Sequence, residues 1–318
     1  MRILRHLPAR PPAGVALTIG NFDGVHMGHR AMVEQLMDAA KERQLVSCVM
    51  TFEPHPREFF APDRAPTRLT SLREKLELLA GLGVEQTHVR RFDYDFARMP
   101  AEEFIEEVLW VGLNARWVLV GDDFRFGARR HGDVAMLRKT LSRRGVEVAQ
   151  MRTVSLGGIR VSSTEVRERL ARGDLRGAAQ LLGRPYSMSG RVVGGERLGK
   201  RLGFPTANLQ MKHNRPPLSG IFVVEVLGLG HQPLQGVASL GVRPTVKVGG
   251  VPVLEVHLLD FAREIYGQHL QVLFLHKLRD EEKFGDLETL KRHIARDVED
   301  ARRFFRHPGS RDQRKNVH

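Results

Sequence analysis

A chain of 318 residues exceeds the size at which one hydrophobic core stops growing, so two domains are expected. Hydrophobic residues at 42% and charged residues at 27% exclude a disordered chain, and the longest apolar stretches, such as Trp117-Val118-Leu119-Val120, are too short for a membrane-spanning helix. The net charge of +13 invites a nucleic-acid reading, yet most Lys and Arg residues are interleaved with acids, as in Arg73-Glu74-Lys75-Leu76-Glu77, and only the tail from Arg311 to Lys315 resembles a basic arm. That pattern predicts a solvated surface suited to polyanionic small substrates, with neither nucleic acid nor membrane as a partner. The single cysteine, Cys48, excludes an internal disulfide and a cysteine metal cluster, and the first residues carry no apolar secretion signal. The expected location is cytoplasmic.

In chain order, Val15-Ala16-Leu17-Thr18-Ile19 reads as a first strand, followed by strands over 46–52, 87–89, 117–120 and 146–150. Between them, 28–43, 72–81, 101–110 and 133–144 place apolar residues at helical spacing. Strands alternating with helices of this length imply a parallel sheet covered on both faces, a Rossmann-like nucleotide fold. Two further helices are expected over 163–171 and 175–182, before Gly183-Arg184-Pro185 breaks the pattern. Beyond it, short runs over 186–193, 221–227, 234–240, 251–259 and 270–278 predict a small antiparallel β-barrel. Residues 287–305, with Leu290, Ile294, Val298 and Ala301 on one stripe, predict a C-terminal helix packed against the barrel or plugging it. The expected domains are 1–183 and 184–306, with a disordered tail over 307–318.

The segment Gly20-Asn21-Phe22-Asp23-Gly24-Val25-His26-Met27-Gly28-His29 joins the first strand to the first helix. A helix N-terminus favours an anion, and Gly24 and Gly28 let backbone approach a phosphate. His26 and His29 are placed to donate hydrogen bonds to an oxygen that gains charge in phosphoryl or nucleotidyl transfer. Metal binding by the pair is the alternative, although no third ligand stands nearby in sequence. Arg160 and Arg167 bracket Ser162-Ser163-Thr164, a helix-capping signature, so hydroxyls, free N–H groups and guanidinium donors can converge there on a triphosphate. A plain capped helix with a surface arginine is the other reading.

These segments resemble a known family. The first looks like the HxGH signature of the nucleotidyltransferase superfamily, and in its longer form is similar to the N-terminal module of bacterial bifunctional riboflavin kinase/FAD synthetases. Thr51-Phe52-Glu53-Pro54-His55-Pro56, Val120-Gly121-Asp122-Asp123-Phe124-Arg125-Phe126-Gly127 and Arg160-Val161-Ser162-Ser163-Thr164-Glu165-Val166-Arg167 follow in the family's order. The resemblance implies that Asp123 contacts nucleotide where the family often has Asn, and that Phe52, His55 and Phe60 border the flavin; an Asx-turn and a post-strand turn are the plain alternatives. Glu165 departs from the arginine common in the family.

In the second half, Gly194-Gly195-Glu196-Arg197-Leu198-Gly199-Lys200-Arg201 is glycine-rich and basic, fit to fold over polyphosphate with Lys200, but lacks Walker spacing. Gly203-Phe204-Pro205-Thr206-Ala207-Asn208 resembles the riboflavin kinase motif whose Thr and Asn oxygens help bind Mg²⁺ and ATP phosphates, which implies Thr206 and Asn208 in that role. The resemblance marks Glu255 as the base, whereas by alternation alone it is equally an outward strand residue. Arg292 is expected to face the flavin from the last helix. Together these features predict phosphorylation of riboflavin to FMN, then adenylylation of FMN to FAD, both from ATP. The alternatives are one working site beside a regulatory domain, or a flavin-responsive nucleic-acid-binding protein.

Overall fold

The structure is a computed structural model that describes residues 1–8, 13–195, 199, 202–213, 215–243 and 251–307. The chain forms two compact units, Met1–Pro66 with Lys75–Val161, and Thr67–Glu74 with the residues from Ser162 onward. Residues 162–183, grouped by sequence with the first half, therefore pack with the second. The tail expected past His307 lies outside the described residues.

The first unit is built on six parallel strands: β1 (Arg2–Leu4), β2 (Val15–Ile19), β3 (Val46–Glu53), β4 (Gln86–Arg91), β5 (Ala115–Gly121) and β6 (Glu147–Met151), in the order β1-β4-β3-β2-β5-β6. The central strands are apolar on both sides and feed two cores. Val15, Leu17 and Ile19 face one with Phe104, Ile105, Leu109 and Leu137, while Ala16 and Leu119 face the other with Val33, Leu36 and Leu79. Helices α1 (Met27–Glu42) and α3 (Leu72–Gly81) cover the second side, and α6 (Val134–Ser142) the first. Two short helices, α2 (Pro56–Phe60) and α4 (Tyr94–Arg98), follow β3 and β4. The helix expected over 101–110 is a single turn, α5 (Ala101–Glu103), continued as a π-helix over Phe104–Gly112. All five expected strands are present, and β1 is an addition. The chain winds from β2 toward β1 on one side and resumes with β5 on the other, so the topological switch lies between β2 and β5, where α/β sheets place their ligands.

One buried group makes this unit acid-sensitive. His88 on β4 is fully buried, and its ring nitrogens have no hydrogen-bond partner among the described residues. Burial, with smaller contributions from the positive charges of Arg90 and His6, pushes its pKa down from 6.5 to about 4. The fold thus keeps His88 neutral while the unfolded chain takes up a proton below the ordinary value. Stability is full above about pH 6.5 and falls as pH drops toward 4, by on the order of 3 kcal/mol. Urea denaturation of His88→Leu beside the native protein should show this slope flattened in the substituted chain.

The second unit is a closed antiparallel barrel, with β9 (Tyr186–Val193), β10 (Ala207–Met211), β11 (Gly220–Leu227), β12 (Leu234–Arg243), β13 (Val251–Leu258) and β14 (His269–Arg279) in the order β10-β13-β12-β11-β14-β9. Sequence patterning anticipates five of these strands. The sixth, β10, alternates half-buried Asn208 with buried Leu209 inside the stretch read as a binding motif. Phe222 and Phe274 meet edge-on in the barrel core, while Ile221, Val223 and Val237 receive Ala301 and Val298 of the last helix, α9 (Leu287–Arg306). The helix therefore packs against the barrel and does not plug it. Its buried Asp297 accepts two hydrogen bonds from Arg279, at 3.0 and 2.7 Å. Helices α7 (Ser163–Ala171) and α8 (Leu175–Leu182) belong to the same unit. So does Glu74, which accepts from Ser71 N in a capping box, from Ser189 N and Oγ at 2.6 and 3.0 Å, and from His213 Nε2 at 2.8 Å. Burial alone would raise this carboxyl, but the bonds from His213, Ser71 and Ser189 outweigh it and lower the pKa to about 2. No helix among the described residues is long and apolar enough to cross a membrane.

Candidate active sites

At the carboxyl end of β2 the chain makes a tight, strained loop before α1. Phe22, Gly24 and Val25 have φ of 48°, 82° and 42°. Glycine accepts this region, whereas a β-branched valine there is an outlier that surrounding structure must enforce. Burial does so, since Phe22 and Val25 are almost wholly enclosed in the α1-side core. The loop delivers His26 as the N-cap of α1, its Nδ1 accepting from His29 N at 3.3 Å. An accepting Nδ1 carries no proton, so the donor of the His26 ring is Nε2. The two imidazoles stack at 3.7 Å between centroids and 15° between planes. A Cβ on Gly28 would stand 3.2 Å from the His26 ring, closer than side chains usually pack, so glycine leaves room for the stack. With no acidic residue in its first turn, the head of α1 is suited to an anion.

The loop after β5, across the switch point, carries Asp122 and Asp123. Asp122 accepts from Thr153 Oγ1 at 2.8 Å, which, with the Thr153 backbone, holds its carboxyl below the ordinary range. Asp123 pairs with Arg160 Nη2 at 3.0 Å, and Arg160 ends a small hairpin of β7 (Ser155–Leu156) and β8 (Ile159–Arg160). Both partners are largely exposed, so a phosphate can exchange into the pair at little cost. Further along, Arg129 and Arg130 adopt consecutive left-handed conformations, φ 52° and 60°, a feature without any motif in the sequence.

Of the residues implied for the flavin, Phe52 is half-buried against Phe92 and Phe96, and His55 caps α2 by accepting from Arg57 N at 3.1 Å. Phe60 is different. It is 67% exposed and stacks edge-on with Phe59 and Phe92, in an aromatic cluster that also exposes Tyr94, which sequence reading missed.

In the second unit, Ser162 caps α7 by accepting from Glu165 N at 3.2 Å, which places Ser163 at the first helical position. Arg167 Nε donates to the Thr67 carbonyl at 2.5 Å. Glu165, where the resemblance has arginine, pairs with Arg169 of its own helix at 2.8 Å.

Barrel register brings the other candidates together. Glu255 on β13 stands directly opposite Asn208 on β10 and Ser239 on β12, so the three form a row on one face. Leu254, Val256 and Leu258 are buried on the other face, and His257 shares the Glu255 side, with its Nδ1 2.9 Å from the Pro205 carbonyl. Thr206 precedes β10, and its Oγ1 lies 3.2 Å from where a Cβ on Gly199 would stand. A Cβ on Gly195 would overlap Asn208, so glycine lets the backbone cross this row closely. Lys200 lies outside the described residues. Arg292 is exposed on α9 and donates to Thr289 Oγ1 at 3.0 Å. No group of three or more His, Cys, Asp or Glu side chains among the described residues is arranged to hold a metal.

Residues 9–165 match the family described as FAD synthetase, and residues 182–305 the one described as riboflavin kinase. The bifunctional riboflavin kinase/FMN adenylyltransferase of Escherichia coli strain K12 is 49% identical over 305 residues, 96% of this chain and 97% of that protein. The protein of the same description from Haemophilus influenzae is 43% identical over 307 residues, 96% of this chain and 99% of its own length. Among solved structures, a macrolide-efflux protein from Streptococcus pneumoniae is 28% identical with a TM-score of 0.79, covering 94% of this chain and 98% of that one.

Proposed function

Since this chain belongs to the family of bifunctional riboflavin kinase/FMN adenylyltransferases, we propose how its residues divide two successive reactions. The enzyme phosphorylates riboflavin to FMN with ATP, then adenylylates FMN with a second ATP to give FAD and pyrophosphate. Adenylylation is assigned to 1–183 and phosphorylation to 184–306, in keeping with family matches over 9–165 and 182–305. One observation carries the reading: a single chain holds a histidine pair at a helix head and, in its barrel, a carboxylate in register with Asn208.

In the kinase step, Glu255 accepts the proton of the riboflavin 5′-hydroxyl as its oxygen attacks the γ-phosphorus, and ADP departs. Thr206 and Asn208, the latter opposite that carboxylate, would supply hard oxygen donors to a Mg²⁺ and are too few in number for an all-protein cage. When bound, Mg²⁺ would supply charge neutralisation of the ATP phosphates. Lys200 is assigned to the same polyphosphate from the glycine-rich segment.

In the adenylylation step, an FMN phosphate oxygen attacks the α-phosphorus and pyrophosphate leaves. His26 donates from Nε2, and His29 donates beside it, to the oxygens that gain charge. Gly24 and Gly28 keep the helix head open to phosphate, and Asp123 releases Arg160 to the incoming triphosphate. Ser163 and Arg167 join through the likeness of segment 160–167 to the family. Phe60 offers its exposed face to the flavin ring, with Phe52 behind it. His55 and Arg292 are the weaker flavin contacts, because each already has a local role in its own helix. A cytoplasmic setting accords with a single cysteine, which is buried. Incubation with riboflavin, ATP and Mg²⁺ should yield FMN first and FAD later, resolved by chromatography; formation of neither would refute the reading.

A further inference from the structure

We infer that Lys75, acting through Thr51, is a positioning residue for the adenylylation step, because it fixes the strained loop that presents His26 and His29. The inference rests on the reading of that loop as the adenylylation site. Lys75 lies on α3 and is only 4% exposed, an unusual place for an ammonium group. Its Nζ donates to Thr51 Oγ1 at 3.2 Å. Thr51, fully buried near the end of β3, in turn donates its hydroxyl proton to the Asn21 carbonyl at 3.1 Å. A hydroxyl has one proton, and accepting from an ammonium obliges that proton to point away. The relay therefore has one direction, from Lys75 to Asn21.

Asn21 is the residue just before the strain begins. Phe22 at φ 48° and Val25 at φ 42° each hold a strained, left-handed conformation. Packing of their side chains secures the middle of the loop, and a backbone bond from Gly20 N to Met50 O at 3.1 Å secures its start. The carbonyl of Asn21 is a further anchor at the start of the loop, where a peptide rotation would let the strain relax and shift the histidine rings. Their stack at 3.7 Å and the close approach of Gly28 leave little tolerance for such a shift. The head of α1 would still attract a phosphate, so relaxation should affect turnover more than binding.

The test uses the full chain and measures FAD formation from FMN and FMN formation from riboflavin separately. Thr51→Val, equal in shape without the hydroxyl, should lower kcat for FAD formation about tenfold with KM for ATP changed less than about twofold. Thr51→Ser should restore most of the rate. In a Lys75→Met background, Thr51→Val should cost less than about twofold more, because the pair acts as one unit. FMN formation should be unchanged throughout. The inference is overturned if Thr51→Val keeps the native rate, if Thr51→Ser is as slow as Thr51→Val, if the two losses multiply, or if FMN formation falls in parallel, which would indicate general unfolding. His29→Ala is the control for the site itself. If it retains FAD formation, the site assignment fails and the relay with it, whereas loss in His29→Ala alone removes only the relay.

Discussion

Replacement of Glu255 by glutamine should cut FMN formation by about a hundred- to ten-thousand-fold, the range for removal of a general base, while FAD formation from supplied FMN continues at the native rate. Glutamine keeps the shape and hydrogen-bonding reach of the side chain but cannot accept the proton of the attacking hydroxyl. The β13 ladder is backbone-made, with Glu255 opposite Asn208 and Ser239, so strand pairing survives the change. The loss should fall on kcat, leaving KM for ATP within a few-fold, because the carboxylate acts as the proton moves. Chromatographic product analysis with each flavin substrate in turn separates the two rates. Native FMN formation in the Glu255→Gln enzyme would remove Glu255 from the role of base.

Much of this was legible in the sequence because the determinants are local or periodic. The alternation that makes Leu254, Val256 and Leu258 buried is visible over eight residues, as is the helix-capping residue Ser162. What is not periodic was not legible. Strand β10 hides in a stretch rich in turn residues, and only its pairing with β9 and β13 defines it. The location of α7 and α8 with the barrel unit depends on tertiary packing that no boundary signal at Gly183 reports. The opposition of Glu255 and Asn208 joins positions 47 apart in the chain and needs the barrel's register. Lys75 and Thr51 look, in sequence, like an ordinary helix charge and an ordinary strand threonine; burial alone sets them apart. Glycine at 28 was anticipated for phosphate approach, and the structure adds a second reason in the His26 ring beside it.

His26 and His29 should differ in what their loss does. His29→Ala should lower FAD formation by about 10²–10³-fold, the usual effect of deleting one donor to a developing charge, with FMN formation and thermal stability near native values. His26→Ala should add a structural penalty, because Nδ1 of His26 caps α1 by accepting from His29 N. Loss of such a cap costs roughly 1 kcal/mol, or about 2–4 °C in Tm for a chain of this size. Asparagine is a strong N-cap whose side-chain oxygen can accept the same bond but cannot reproduce the Nε2 donor. His26→Asn should therefore regain the lost stability while FAD formation stays at the level of His26→Ala.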